Sequence, residues 1–246
     1  MLNVLKFDIY KIFKSRWLNV FLICSAVLCF LNPILDYLIL KSGTSVLSNM
    51  KGDNVPQFII ALFAVLFCTK DFSTGFISNF YSRQNKTAYV VSKIIILFTV
   101  TILFCALTFF IHCIFDKLFS YGEFYGEKYN DVNENLYHII YIILFKTFGT
   151  AVFGVVIMLA CFLVKNTVAM LIGTMTYMFF GEFLYRLIDG IVGNHFSFAR
   201  YTSFGTINHL IISSATWEFT TSLIVLIVYF VVCSVLSVIA FYKKKF

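Results

Sequence analysis

Ionisable side chains inside long apolar stretches are the first residues in this sequence that could carry chemistry. Glu182 and Arg186 stand four residues apart near the end of an apolar run. On a helix, this spacing puts both side chains on one face, where they can neutralise each other. Ionisable groups at membrane depth also mark transport paths. The pair therefore has two interpretations, as a structural ion pair or as part of a transport path.

A third interpretation of Glu182 is enzymatic. Membrane-embedded CPBP-type proteases carry a Glu-Glu-x-x-x-Arg motif with His residues on later helices, and Glu182 and Arg186 resemble the second Glu and the Arg. Gly181 stands in place of the first Glu, and His195 and His209 fall in a predicted loop. An intramembrane protease centred on Glu182 is kept as an alternative, although we do not expect the chain to be an enzyme.

The residue types that usually bind metals show no suitable spacing. The four His residues form no HExxH pattern, and the seven Cys residues form no CxxC pair. Since all seven Cys lie within apolar runs, they are best interpreted as small packing residues. We expect no metal site, no cofactor held by this chain and no catalytic residue.

Lys146 is the other charge inside an apolar run. The run Leu136–Val164 has 29 residues, and a helix of that length would be about 43 Å long, more than one simple crossing needs. Lys146 is followed by Thr147 and Gly149, so we predict a break or an interfacial start there. Lys146 is then expected to reach the lipid headgroups.

Composition indicates the solvent in which these residues lie. The 246 residues are 60% hydrophobic and only 13% charged, with a mean hydropathy of +0.89. A soluble domain is about 45–50% apolar and about 25% charged, so a soluble or disordered protein is excluded. Gly is never followed by Lys, so the chain has no P-loop. The basic residues lie in short clusters beside apolar runs, a pattern that argues against nucleic-acid binding.

The apolar runs predict an all-α integral membrane protein that forms a single polytopic domain over residues 1–246. Residues 1–16 are expected to form an amphipathic helix at the interface, with Leu2, Leu5, Ile9, Ile12 and Phe13 on one face. An outer loop is predicted at residues 189–216. The six predicted spans are Trp17–Leu38, Pro56–Thr69, Tyr89–Phe115, Thr147–Val164, Thr167–Ile188 and Trp217–Tyr242.

The distribution of basic residues predicts the orientation. With the N-terminus inside, the inner segments hold twelve basic and two acidic residues, and the outer segments hold six basic and nine acidic residues. The inverted arrangement would reverse this bias. The positive-inside rule therefore predicts that both termini are cytoplasmic.

The predicted inner segment between spans 2 and 3, residues 70–88, has a regular aromatic pattern. Phe72, Phe76 and Phe80 recur at every fourth position and would form one stripe on a helix. Asp71 suits a helix start and the binding of a basic partner group, and Gly75 allows a close approach. The stripe could rest on the membrane surface or dock on a partner protein; the second interpretation makes this segment a partner site.

The same segment resembles the ABC-2-type transporter permease family. The resemblance rests on Asp71 and Gly75, on Arg83 or Lys86 in the turn, and on Ser92-Lys93 leading into span 3. Six spans, the amphipathic start and the segment Tyr201–Thr206 before span 6 are similar too. Asp71 stands where the family often has Glu, and Phe76 stands where a Thr commonly follows the Gly.

The resemblance implies a permease subunit like those of bacteriocin and lantibiotic self-protection exporters. Such a permease dimerises in the bacterial plasma membrane, as a homodimer or heterodimer, and binds separate cytoplasmic ATPase subunits that bind the ATP. The implied cargo is an amphipathic or hydrophobic peptide or toxin. A non-transporting membrane scaffold is the remaining alternative. The implied ATPase-coupling residues are Asp71, Phe72, Gly75, Phe76, Phe80, Arg83 and Lys86.

Overall fold

The protein is helical throughout the part that its computed structural model describes, which comprises residues 2–14, 16–40, 54–73, 86–118, 132–164, 166–192 and 216–243. No strand occurs within these ranges. Seven helices follow one another in them: α1 (Leu2–Lys14), α2 (Arg16–Leu40), α3 (Val55–Ser73), α4 (Lys86–Leu118), α5 (Val132–Leu163), α6 (Thr167–Val192) and α7 (Thr216–Lys243).

Several of these helices are suited to a bilayer. Within the described ranges, three helical segments are long and apolar enough to cross a membrane: Lys86–Ile114, Ile143–Leu163 and Thr220–Lys243. A fourth candidate is the pair Val4–Lys14 and Arg16–Leu31, which bends by 62° where α1 meets α2. The chain is therefore a helical membrane protein, with three to four candidate spans by length and composition.

Each predicted span overlaps one helix, although only three to four of these helices are candidate spans. The predicted break at Lys146 is wrong. α5 continues as one helix of 32 residues through Thr147 and Gly149. The side chain of Lys146 does not extend to the surface, since only 4% of the residue is exposed. The physical reason is the central position of α5, which packs against α3, α4, α6 and α7. In such a position, small residues allow close helix packing and need not end the helix.

Contacts between aromatic rings show the relative direction of α4 and α5. Tyr89, near the start of α4, has its ring centroid 6.4 Å from that of Phe162, near the end of α5. Phe98, further along α4, lies 6.3 Å from Phe148, earlier in α5. The two helices therefore run antiparallel.

The amphipathic helix α1 packs along α4 and α2 with the face that carries Asp8. Val4, Asp8 and Ile12 are buried, one helical turn apart, whereas Ile9 is 40% and Phe13 is 73% exposed. The apolar residues that were expected to share one face are thus divided between the protein and its surroundings. The reason is that the polar residue Asp8 faces inward.

Candidate functional site

A group of four charged side chains, three of them buried and one partly exposed, joins α1, α3 and α4. We call Asp8, Lys11, Asp71 and Lys93 the charge cluster. The Lys93 ammonium Nζ lies 3.0 Å from Asp8 Oδ1 and 2.7 Å from Asp71 Oδ2. Lys11 forms a second ion pair with Asp71. Two positive and two negative charges therefore meet where these three helices come together.

The helix periodicity explains how each side chain reaches the cluster. Asp8 lies between Val4 and Ile12 on the buried face of α1, and Lys11 follows one turn later at the edge of that face. Lys93 is about two turns inside α4, which begins at Lys86. Its position places the ammonium within the packed helices, and the residue has no exposed surface.

Neighbouring side chains complete the hydrogen bonding of the cluster. The Tyr89 hydroxyl donates to Asp71 Oδ2 at 2.9 Å, and Ser92 Oγ lies 2.8 Å from Asp8 Oδ2. The Lys93 ammonium also lies 3.7 Å from the centroid of the Phe67 ring, in a cation–π contact. These contacts supply partners to charged groups that would be costly to bury alone.

Two ammonium groups lie beside the Asp71 carboxyl in this cluster. Burial alone would raise the pKa of its carboxyl, but the ammonium groups of Lys93 and Lys11 hold that pKa below its ordinary value. A carboxylate that is paired with two ammonium groups is suited to fixing the position of a helix.

The structure corrects the expected setting of Asp71. The residue lies near the end of α3, not at a helix start. Only 1% of its surface is exposed, so in this structure the carboxylate is paired within the chain and not open to a basic group of a partner. Its buried partner Lys93 accounts for the difference, because a carboxylate next to two ammonium groups is stabilised away from water.

Lys86 is the other predicted coupling residue whose side chain is described. It lies at the start of α4, outside the charge cluster, and its ammonium is 5.6 Å from the centroid of the Tyr242 ring. It also lies 3.5 Å from the Tyr242 carbonyl oxygen. Lys86 therefore connects the start of α4 with the end of α7.

The remaining predicted site residues have no described side chains. Phe72 lies on α3, and Glu182 and Arg186 lie on α6. The charge cluster forms between α1, α3 and α4. Outside the described residues are Gly75, Phe76, Phe80, Arg83 and nearly all of the predicted outer loop.

Sequence reasoning missed that Asp8 and Lys93 form a site. Charge counting includes both residues among the inner charges, and Lys93 also belongs to the Ser92-Lys93 resemblance, but nothing in the sequence pairs the two side chains. The available signal was the register of α1, in which Asp8 falls midway between Val4 and Ile12, two residues that the structure buries. A lone carboxylate in that position requires a buried cation.

Comparisons with known proteins add no relative to this picture: the sequence matches no protein-family model and no curated protein. Within the described residues, no group of three or more His, Cys, Asp or Glu side chains could hold a metal ion. A functional interpretation therefore depends on the helices and on the charge cluster.

Proposed function

We propose that this chain is the membrane subunit of an ABC-type exporter, with α2 to α7 as six spans and both termini in the cytoplasm of a bacterium. Separate ATPase subunits would bind residues 70–88 and supply the energy. The observation that carries the proposal is the position of the charge cluster at the two helices that flank this segment.

The charge cluster lies close to residues 70–88, so that a movement of this segment would also move the helices that the cluster joins. Asp71 lies two residues before Ser73, the last residue of α3, and Lys93 lies about two turns after Lys86, where α4 begins. Ion pairs join both helices to α1. Movement of the segment by a partner would therefore displace α1, α3 and α4 together, and two alternative packings of such helices can alternate access to a path.

The same proposal assigns ATP binding to the partner. The chain has no P-loop, and its apolar composition leaves little room for a soluble nucleotide-binding domain. A second permease subunit would complete the transport path. The charge-poor, Phe-rich composition of the chain favours amphipathic or hydrophobic peptides as cargo, moved out of or away from the membrane.

Affinity purification from the native host tests the proposal. A tagged chain, solubilised in mild detergent, should co-purify a protein that contains a P-loop. Phe76→Ala with Phe80→Ala should reduce the recovered ATPase more than tenfold. The reason is that a central aromatic at an interface contributes about 2 kcal/mol or more, and about 1.4 kcal/mol corresponds to a factor of ten.

The matched control replaces two aromatics on α6 that face outward. Phe180→Ala with Phe183→Ala removes the same number of rings from exposed positions and should leave ATPase recovery unchanged. Recovery of no P-loop protein with the wild-type chain would contradict the exporter proposal and favour a scaffold or an intramembrane protease. Full recovery with the Phe76 and Phe80 variant would show that the coupling site lies elsewhere.

A further inference from the structure

An apolar groove opens beside the charge cluster, between α1, α2, α3 and the start of α6. Its volume is about 200 Å³, and its wall is formed largely by Ile12, Phe21, Phe63, Leu66 and Phe67. This volume is below the roughly 300–1,000 Å³ of sites for drug-sized ligands. The groove therefore suits one narrow apolar chain better than a bulky molecule.

The polar lining of the groove is basic or neutral. Lys11 and Lys70 contribute two ammonium groups, Trp17 contributes an indole, and Thr69 and Thr167 contribute hydroxyls. Among the residues that the structure describes, no acidic side chain lines the groove. Trp is enriched where a helix meets the membrane interface, and basic pockets between helices bind lipid headgroups. A ligand with a negative head and an apolar tail matches both parts of the groove.

The geometry points to an anionic phospholipid as the occupant, with one acyl chain along the Phe-lined wall and its phosphate near Lys11 and Lys70. Charge complementarity supports this occupant over a zwitterionic lipid, because Lys70 brings a positive charge to the groove and Lys11 brings a second one that it shares with Asp71. Lys11 belongs both to the groove and to the charge cluster. The bound lipid therefore contacts the same side chain that pairs with Asp71, whether or not the chain is an exporter.

Fluorescence quenching tests this site because Trp17 lines it. The chain has two Trp residues, so Trp217→Phe leaves Trp17 as the one reporter. The purified protein is placed in phosphatidylcholine vesicles that contain an equal mole fraction of acyl-brominated phosphatidylglycerol or acyl-brominated phosphatidylcholine. Bromine quenches Trp only at short range, and we expect clearly stronger quenching by brominated phosphatidylglycerol.

Two variants locate the effect. Lys70→Gln should lower the preference for phosphatidylglycerol over phosphatidylcholine about fivefold, since a basic residue near an anionic surface contributes about 1 kcal/mol. Thr167→Phe, at the α6 side of the groove, should fill the groove and reduce quenching by both lipids. The matched control is Lys6→Gln, which removes the same charge from an exposed position of α1 that does not line the groove.

Three results would overturn the proposal. Equal quenching by the two brominated lipids would show that the groove does not select an anionic lipid. A loss of preference in Lys6→Gln as large as that in Lys70→Gln would show diffuse attraction to the basic chain. Weak quenching of Trp17 by both lipids would show that protein, such as a second copy, covers the groove. If Thr167→Phe does not reach the membrane, the comparison of Lys70→Gln with Lys6→Gln decides alone.

Discussion

At the scale of single residues, Lys93 joins the helices of the charge cluster. Its ammonium lies within hydrogen-bonding distance of both Asp8 and Asp71, so one positive charge connects α1 with α3. Buried ion pairs add little net stability compared with well-packed apolar residues. They do penalise misplaced helices, because a displaced partner leaves a charge buried alone. We infer that the cluster fixes where α1 lies.

Removing Lys93 should therefore destabilise the protein strongly. Lys93→Met leaves Asp8 and Asp71 with Lys11 as the remaining cation of the cluster, and breaking a buried pair from one side costs about 3–5 kcal/mol. Adding Asp8→Asn should recover part of the loss, because it removes one of the two carboxylates and restores the balance with Lys11. The measurement is the thermal unfolding midpoint in detergent.

Lys6→Met is the control for this change, since Lys6 lies on the exposed side of α1. It should leave the midpoint close to that of the wild type. The account of the cluster would be wrong if Lys93→Met and Lys6→Met had the same midpoint, or if Asp8→Asn lowered the midpoint of Lys93→Met further.

At the scale of elements, the sequence predicts the helices well. Apolar runs bounded by polar segments predicted α2 to within about two residues at each end, and similarly α7. Such runs are reliable because a membrane helix must be apolar along most of its length. The continuity of α5 could not be predicted, since Lys146 next to Thr147 and Gly149 looks like an end until the packing around it is known.

The pattern of apolar residues along the sequence cannot predict which distant residues come into contact. Asp8 and Lys93 are 85 residues apart in the chain, and no local pattern pairs them. The rotation of α1 about its axis follows from that contact, so the face that packs on α4 could not be predicted either. Charge counting places both residues near the inner surface but cannot distinguish a buried ion pair from two solvated charges.

A glycine on α5 provides a test of how closely α3 and α5 pack. A Cβ atom added at Gly154 would lie 3.0 Å from Ile60 Cγ2, and Ile60 is fully buried. Because Ile60 has little room to move, Gly154→Leu should lower the stability of the protein by about 1–3 kcal/mol through overpacking. The unfolding midpoint in detergent measures the loss.

Gly173 offers the matched position on α6. A Cβ atom there would have no neighbour within 4 Å, so Gly173→Leu should be neutral or stabilising through its higher helix propensity. A midpoint for Gly154→Leu that equals that of Gly173→Leu would mean that α3 and α5 separate easily at this level.

At the scale of the whole molecule, the exporter proposal depends on the side of the membrane to which residues 70–88 belong. Outward-facing apolar residues occur along α2, α4, α6 and α7, among them Ile23, Phe110, Phe179 and Ile224. An apolar outer surface of this kind indicates that lipid or other helices surround the protein. The twelve-to-six distribution of basic residues then predicts that the segment and both termini are cytoplasmic.

Accessibility of single cysteines in intact cells tests this orientation most directly. The seven native Cys residues, of which Cys24 is exposed, are first replaced by Ala. Arg83→Cys reports on the coupling segment, Lys243→Cys reports on the end of α7, and Glu123→Cys reports on a predicted outer segment. Each variant is treated with a membrane-impermeant maleimide before and after the cells are permeabilised.

The account predicts that only Glu123→Cys is labelled in intact cells, and that Arg83→Cys and Lys243→Cys are labelled after permeabilisation. Labelling of Arg83→Cys in intact cells, at the level of Glu123→Cys, would place the coupling segment outside. No cytoplasmic ATPase could then bind it, and the proposed function would be contradicted.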